Sequence, residues 1–434
     1  MSILGAMYAA VSGLNANSNA LGIISDNIAN SSTIGYKGTS ASFLDLVTQS
    51  GLSNEYSPGG VQSQTVYNIA QQGAIQAASS PTDMAVSGGG FFVVNSDPAG
   101  VSGTGTTAFT RAGDFTVDAN GNLKNGAGYY LQGQMLTSAQ SQAIASGQPA
   151  TLSGTTLGSL QTINVNSISG TATATGNVTI GANLPANSSG TPETMTVPIY
   201  DSLGVEHDMS LTFTPTGTAN QWSVSAAFAG AGASTATIAG GDNIVQFNSD
   251  GTLNGAGTTF NGANALSIAW DPAVTGAASP QTVTFNLGSN GSNSGLSQLG
   301  SAFTVGSINQ DGVQLGSFSS VSVGQNGLVT ANFSNGLSRP IAIIPLATFE
   351  DPDGLSPAAG DNYLASANSG FPLISQAGTG AAGQIQSSSL ENSTVDIAAE
   401  FSKLIVAQNA YQANSKVITV SDQMMQALLS IQTG

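Results

Sequence analysis

The chain has 434 residues, one histidine, no cysteine and a net charge of −17, and only 7% of its residues are charged, where an average soluble domain carries about 25%. Its surface must therefore be dressed in Ser, Thr, Asn, Gln and Gly. Six Lys and Arg in all exclude nucleic acid and anionic membrane as partners, because both need clustered cations. The missing cysteines exclude disulfide frameworks, thiolate metal sites and cysteine nucleophiles.

The opening segment MSILGAMYAAVSGLNANSNALGII lacks both the basic start and the continuous apolar run of a secretory signal. No stretch reaches the roughly 20 apolar residues of a membrane span. Export by a route other than classical secretion stays open. Over the first 30 residues Leu4, Met7, Val11, Leu14, Leu21 and Ile28 recur at spacings of three, four or seven, with Ser18 interrupting. That spacing predicts one helix with an apolar stripe, about 45 Å long at ~1.5 Å per residue. Residues 31–72 are polar, Gly/Ser-rich and weakly periodic, which predicts a connecting segment.

From residue 73 the pattern changes to short alternating or β-branched runs between Gly, Asn, Asp and Pro clusters, as in TMTVPIYDSLGVEHDMSLTFTPTG. This predicts an all-β interior. Asn and Gly between apolar runs at 115–123, 245–253 and 321–329 predict three tight hairpins. The Ser/Thr/Gly/Ala-rich stretch 140–180 and the glycine-heavy stretch 286–316 mark expected crossings into and out of an inserted domain. Residues 365–391 resemble the first linker in composition. At the far end Asn392 or Ser393 is expected to cap a helix carrying Asp396 in its first turn. Its stripe reads Ile397, Phe401, Leu404, Ile405, Gln408, Tyr411, Ser415, Ile418, Met425, Leu428 and Leu429, at heptad-like spacing.

No catalytic, cofactor or metal site emerges. His207 stands between Glu206 and Asp208 on an expected strand, where both carboxylates point away from it, and reads as a solvent-side histidine. Asp118 opens a DANGN run like a calcium loop, but the twelfth position is Tyr129 instead of a bidentate Glu. Gly103 to Ala108 spells a glycine fingerprint without the βαβ context it needs. Glu350, Asp351, Asp353 and Asp361 fall in Pro/Gly turns typical of a solvated edge.

Two stripes at opposite ends of one chain can pair, yet a two-helix stalk still leaves one apolar face of each helix wet. The economical cover is another copy, packed heterologously so that a tube grows. The alternatives are helices folded back on the β body, or a β-rich adhesin or carbohydrate-binding module that uses them for attachment.

Four blocks also carry a family resemblance. LGAMYAAVSGLNANSNALGIISDNIANSSTIGYKGTSASF at 4–43, with Asn27, Asn30, Gly35, Tyr36 and Lys37, is similar to the N-terminal motif of bacterial flagellar rod and hook proteins. FTRAGDFTVDANGNLKNGAGYYLQG at 109–133, SNGLSRPIAIIPLATFEDPDGLSPAAGDNYLASANSG at 334–370 and LENSTVDIAAEFSKLIVAQNAYQANSKVI at 390–418 resemble the later signatures, in order. Length and the block VPIYDSLGVEHDMSLTF at 197–213 look most like the hook members, the alternative within the resemblance being another axial, distal rod-like member.

The resemblance implies a mainly β protein with long terminal α-helices, in nested layers. These are a helical terminal domain (1–30 plus 392–434), connecting segments (31–72 and 386–391), an inner β domain (73–165 plus 313–385) and an outer inserted β domain (166–312). It implies a self-assembling, non-enzymatic subunit of a flexible curved tube that carries motor torque to the filament as a universal joint. The implied partners are copies of itself, a hook capping protein, distal rod and hook-filament junction proteins, and the flagellar type III export apparatus. The implied location is outside the cell, reached without a cleaved signal.

Overall fold

The computed structural model describes residues 3–46, 59–100, 105–154, 156–167, 170–187, 190–228, 236–239, 243–259, 265–300 and 302–432. The chain divides into two units: Met1–Ser167 with Ser320–Asn332 and Ser338–Gly434, and Ile168–Ser319 with Phe333–Leu337.

The first unit begins with α1 (Ile3–Ala29), 27 residues and so about 40 Å long. Past its end, Gly35 takes a left-handed φ of +74°. A Cβ there would lie 2.6 Å from the backbone nitrogen of Ala112, so only glycine lets the chain turn this closely against the β body. The segment expected to be a bare connection instead holds a hairpin, β1 (Thr39–Asp45) against β2 (Val61–Tyr67), in register from Thr39 opposite Tyr67 to Asp45 opposite Val61. The hairpin packs on α1: Val61 N–H donates to Ser12 Oγ (3.1 Å) and Asn19 Nδ2 donates to Ser63 Oγ (3.0 Å). Its sequence shows no clean alternation because a helix, not a second sheet, covers it.

There follow β3 (Ile75–Ala77), β4 (Met84–Ser87), β5 (Phe91–Asn95), β6 (Thr107–Thr110), β7 (Thr116–Val117), β8 (Leu123–Lys124) and β9 (Tyr130–Met135), then the short helix α2 (Ser138–Ala145) within the span expected to be inner β domain. Thr137 and Gln140 close a capping box on α2. β5 lies between β9 and β6 in the principal sheet and is buried along its whole length. Phe91, Val93, Phe109, Ala347, Leu355, Tyr363 and Ile374 share one core beside it. The glycine fingerprint dissolves here: Gly103 and Thr104 lie outside the described residues, and Thr107 and Ala108 already belong to β6.

The core of the second unit is two packed sheets, beside a short separate pair, Thr171–Thr173 with Val313–Gly316. Asn177–Pro185 pairs with Gln281–Asn286, Leu296–Leu299 and Thr304–Gln310, while Glu193–Tyr200, Glu206–Pro215 and Gln221–Phe228 form an antiparallel meander. Alternate residues point inward, Met195, Val197 and Ile199 on one strand and Met209, Leu211 and Phe213 on the next, and they meet Val178, Ile180, Trp270 and Phe285 in one core. The helix α3 (Pro272–Thr275) is a single turn capped by Asp271. Each of the three expected hairpin turns is present, with Gly121, Gly251 and Gly327 at φ of +88°, +82° and +81°.

Back in the first unit, Gln384–Ser387 pairs with β4 and Ser389–Glu391 with β3, so the second expected linker is also partly strand. α4 (Ile397–Gln432) runs 36 residues, about 54 Å. Its cap is Asp396, whose Oδ1 accepts the N–H groups of Ala398 (2.9 Å) and Ala399 (3.2 Å), rather than Asn392 or Ser393. Asn392 stands too early to serve: its N–H still donates to Ala74 O (2.9 Å), prolonging the strand pair, and α4 begins only at Ile397.

α1 and α4 lie antiparallel. Asn27 meets Glu400 at one end and Gly13 meets Asn414 two heptads away. A Cβ on Gly13 would stand 2.8 Å from Asn414 Nδ2. Gly13→Leu should therefore force the helices apart at a cost of about 1–3 kcal/mol. Circular dichroism should show an earlier loss of helix, while the fluorescence transition of Trp222 and Trp270, both in the second unit, stays put.

Candidate functional site

The motif residues of the first block fasten α1 to everything beneath it. Asn27 Nδ2 donates to Thr39 O (2.7 Å) and Glu400 Oε2 (3.3 Å), while its Oδ1 accepts Thr39 N–H (3.0 Å) and Tyr36 O–H (3.2 Å). One buried amide thus joins α1, β1 and α4. Asn30 plays a local part: its Nδ2 donates to Asp26 O (2.9 Å) and its Oδ1 accepts Thr33 O–H (3.2 Å), ending the helix. Burial raises the Tyr36 phenol above its ordinary pKa.

Lys37 is buried and its Nζ bonds Glu391 Oε1 and Gln71 O (2.6 Å). The other carboxylate oxygen of Glu391 meets Arg111 Nη1 at 3.2 Å, and Gly73 N–H donates to Oε1 at 2.7 Å. Arg111 Nη2 also donates to Gly88 O (2.8 Å), and its guanidinium lies 5.1 Å above the Phe91 ring. Burial lowers the pKa of Lys37 and of Arg111, and Glu391 opposes both shifts. A single carboxylate, fully buried, ties the turn after α1 to the β body and to the strand leading into α4. Sequence reading singled out Lys37 but missed Arg111 and Glu391. The available signal was scarcity: Arg111 is one of six cations, set in the apolar run FTRAG.

The predicted stripes occupy the faces next to the one the helices share. The buried positions of α1 are Ala10, Gly13, Ala16, Ala20, Ile24 and Asn27, and those of α4 are Glu400, Ala407 and Ser421. Small residues make the intramolecular contact. Leu4, Val11, Ile397, Phe401, Tyr411, Met425 and Leu428 are exposed, Val11 at 41%, Phe401 at 51% and Leu428 at 53%. Met7, Leu14, Leu21, Ile28, Leu404 and Ile418 are half-buried. Tyr8 and Val406, not singled out from sequence, are exposed at 72% and 67%. Contiguous apolar exposure of this kind marks an association surface.

The other candidates are structural. His207 is not solvent-side as expected: its Nε2 lies 3.0 Å from Asp201 Oδ2 and its ring packs 4.4 Å from that of Trp270. The unforeseen partner is Asp201, fully buried, which also accepts the N–H groups of Leu203 (2.8 Å) and Val205 (3.0 Å). Asp118 Oδ1 accepts from Asn120 and Asn122 and closes its hairpin. Asp351 caps a 3₁₀ turn and Asp353 accepts Ala70 N–H (2.8 Å). Among the described residues no three His, Asp or Glu converge on a common point, and no helix is long and apolar enough to cross a membrane.

Helical termini fastened to a β body, with apolar faces left open, define an axial assembly protein, and comparison with known proteins gives the class. Family models match in order along the chain: flagella basal body rod protein at 7–37, flagellar hook protein FlgE/F/G D1 domain at 85–183, flagellar basal body protein FlaE D2 domain at 176–313, and flagellar basal body rod FlgEFG protein C-terminal at 386–431. The chain is 34% identical to the flagellar hook protein FlgE of Brucella abortus, covering 99% of this chain and 100% of that one. It is 32% identical to the flagellar hook protein FlgE of Escherichia coli K12, covering 97% and 98%. The crystal structure of Helicobacter pylori flagellar hook protein FlgE2 matches at a TM-score of 0.39 and 16% identity, over 72% of this chain and 99% of that one. This chain belongs to the flagellar hook protein family.

Glu391→Gln leaves two buried cations without their carboxylate and should cost the first unit about 3–5 kcal/mol. Its calorimetric transition should fall while the tryptophan transition of the second unit does not. A second test concerns acid. Burial raises Asp83, Asp114 and Asp361, with the Asp114 charge adding to the shift at Asp83 and Asp361. A carboxyl whose folded pKa is raised holds its proton better folded than unfolded, so these groups penalise the fold as pH rises through that window. The first unit should melt higher at about pH 5 than at pH 7, and Asp114→Asn should flatten the difference by about 1–3 °C.

Proposed function

We propose that this chain is a structural subunit of the bacterial flagellar hook, self-assembling into a flexible curved tube that passes motor torque to the filament as a universal joint. The observation that carries the reading is the division of labour on the terminal helices. The positions they bury are chiefly Ala, Gly and Asn, which leaves large apolar side chains such as Val11, Phe401 and Leu428 exposed for other copies. Residues 1–30 with 392–434 form the inner helical layer, 73–165 with 313–385 the inner β layer, and 166–312 the outer one. The subunit works outside the cell after export through the flagellar channel. Its further partners are the hook capping protein, the distal rod and the hook-filament junction proteins. A surface with 7% charged residues suits contacts that slide, since few ion pairs must break and re-form as the tube bends.

Concentrated full-length protein should form tubes visible by electron microscopy. Val11→Asp or Phe401→Asp should raise the concentration needed for assembly at least tenfold, with both thermal transitions within about 2 °C of wild type. Removing residues 400–434 should abolish tubes and leave the tryptophan transition intact. Tubes from the shortened chain, or none from the wild type, would contradict the reading.

A further inference from the structure

Asparagine stands directly before glycine at seven places in the chain. Such a pair can close a succinimide ring, because glycine puts no side chain in the way of its own nitrogen. Asn125 and Gly126 are set apart by what surrounds them. They begin the turn between β8 and β9, where Asn125 N–H donates to Tyr129 O (2.9 Å) and Gly128 N–H to Asn125 O (3.0 Å).

Three contacts bear on the chemistry. Gly126 N–H donates to Asp114 Oδ2 at 3.2 Å, so the nitrogen that would attack already shares its proton with a carboxylate. Asn125 Oδ1 accepts the backbone N–H of Tyr129 at 2.8 Å, which polarises the amide carbon and steadies negative charge on that oxygen. Asn125 is only 4% exposed and its Nδ2 has no hydrogen-bond partner, so nothing tethers the amide that must leave. A hollow of about 410 Å³ opens beside the pair, bordered by Asp114, Asp361 and the turn after α1 at Ser32 and Thr33, and it gives water a way in.

The other described Asn-Gly pairs lack this set. The nitrogens of Gly255, Gly291, Gly327 and Gly336 donate to amide or carbonyl oxygens, none of them a base. Gly121 lies near the Asp118 carboxylate, but there a slight desolvation is outweighed by hydrogen bonds from Asn122, Asn120 and Gly121, which hold the acid below its ordinary pKa. Asp114 is the opposite case. Burial raises it in spite of its hydrogen bonds, which makes it the stronger base.

We propose that Asn125 and Gly126 form an autocatalytic modification site, with Asp114 as its general base. Asp114 takes the proton of Gly126 N as that nitrogen bonds to Asn125 Cγ. The Cγ–Nδ2 bond then breaks, the proton ends on Nδ2, and ammonia departs. Water from the hollow opens the succinimide at either carbonyl, leaving aspartate or isoaspartate at position 125 and Asp114 unchanged. The product adds a further carboxyl group beside Asp114 and Asp361, whose charges already repel, in the hollow that the turn after α1 borders. Each chain thus acquires a mark of its age near the root of its helices, independently of how it assembles.

The test incubates full-length protein folded and, separately, unfolded in urea. Trypsin and chymotrypsin together cut after Lys124 and Tyr129 and release the short peptide between. Mass spectrometry reads the amide turned carboxyl, and chromatography separates aspartate from isoaspartate. The folded chain should convert Asn125 at least about tenfold faster than the unfolded one, since a positioned base contributes about 10²–10⁴-fold. Asp114→Asn keeps an acceptor on Gly126 without the base and should bring the folded rate down to the unfolded one or below. The folded wild-type rate should also level off with pH once Asp114 is ionised, whereas the unfolded rate keeps climbing with hydroxide. If calorimetry shows that Asp114→Asn unfolds the first unit, the wild-type pH profile decides alone. Conversion slower in the folded chain than in urea, a folded rate that climbs with hydroxide, or a rate indifferent to Asp114→Asn overturns the proposal.

Discussion

The helical termini of this chain hold their place through one buried carboxylate. Glu391 receives Lys37 from the turn after α1, Arg111 from the β body and the backbone N–H of Gly73, and it lies five residues before the cap of α4. Buried ions are poor stabilisers when compared with apolar residues of equal size, because desolvation consumes most of the Coulomb gain. Their value here is directional. A carboxylate that must satisfy two cations fixes where both strands of chain leave the β body, and an apolar cluster, being non-directional, would not. Asn27 repeats the device one layer further out, using a neutral amide to set the spacing of α1, β1 and α4.

Above those two fasteners the helices need little from each other. Gly13 against Asn414 and a row of alanines bring the axes close, and close approach buries small side chains in the pair rather than large ones. The large side chains are thereby displaced onto neighbouring faces. A stalk built with Leu and Phe between its helices would be more stable alone and would have nothing left to offer a second copy.

The helices, the all-β interior and the tight hairpins were legible because each leaves a local signal: spacing of three and four, alternation, or Asn-Gly between apolar runs. Which face of α1 meets α4 was not, since Leu4, Val11 and Leu14 dominate any apolar count while Ala10, Gly13 and Ala20 carry the contact. The β1–β2 hairpin escaped for a similar reason. Strand VQSQTVY meets α1 through polar bonds, Val61 N–H to Ser12 and Ser63 to Asn19, and TSASFLD through Thr39 to Asn27, so neither shows an apolar alternation. Glu391, the partner of Lys37, lay 354 positions away and 280 from Arg111, the other cation it binds, and no local pattern links residues at that range. Likewise Asp201 gave no sign that it would turn His207 inward, since the pairing depends on a corner between two strands.

The distribution of charge then has a mechanical meaning. Where geometry must not vary, at the root of the helices, this charge-poor chain places two of its six cations and a fully buried carboxylate. On the exposed helical faces it places Leu, Val, Phe, Tyr and Met. Apolar contact free energy follows buried area and is nearly indifferent to small shifts along the surface, whereas a hydrogen-bonded ion pair loses most of its strength within an ångström or so of misplacement. A subunit that is rigid at its root and smooth on its contact faces lets a tube change length on one side at each turn without releasing any subunit, which is the physical requirement for transmitting torque through a bend.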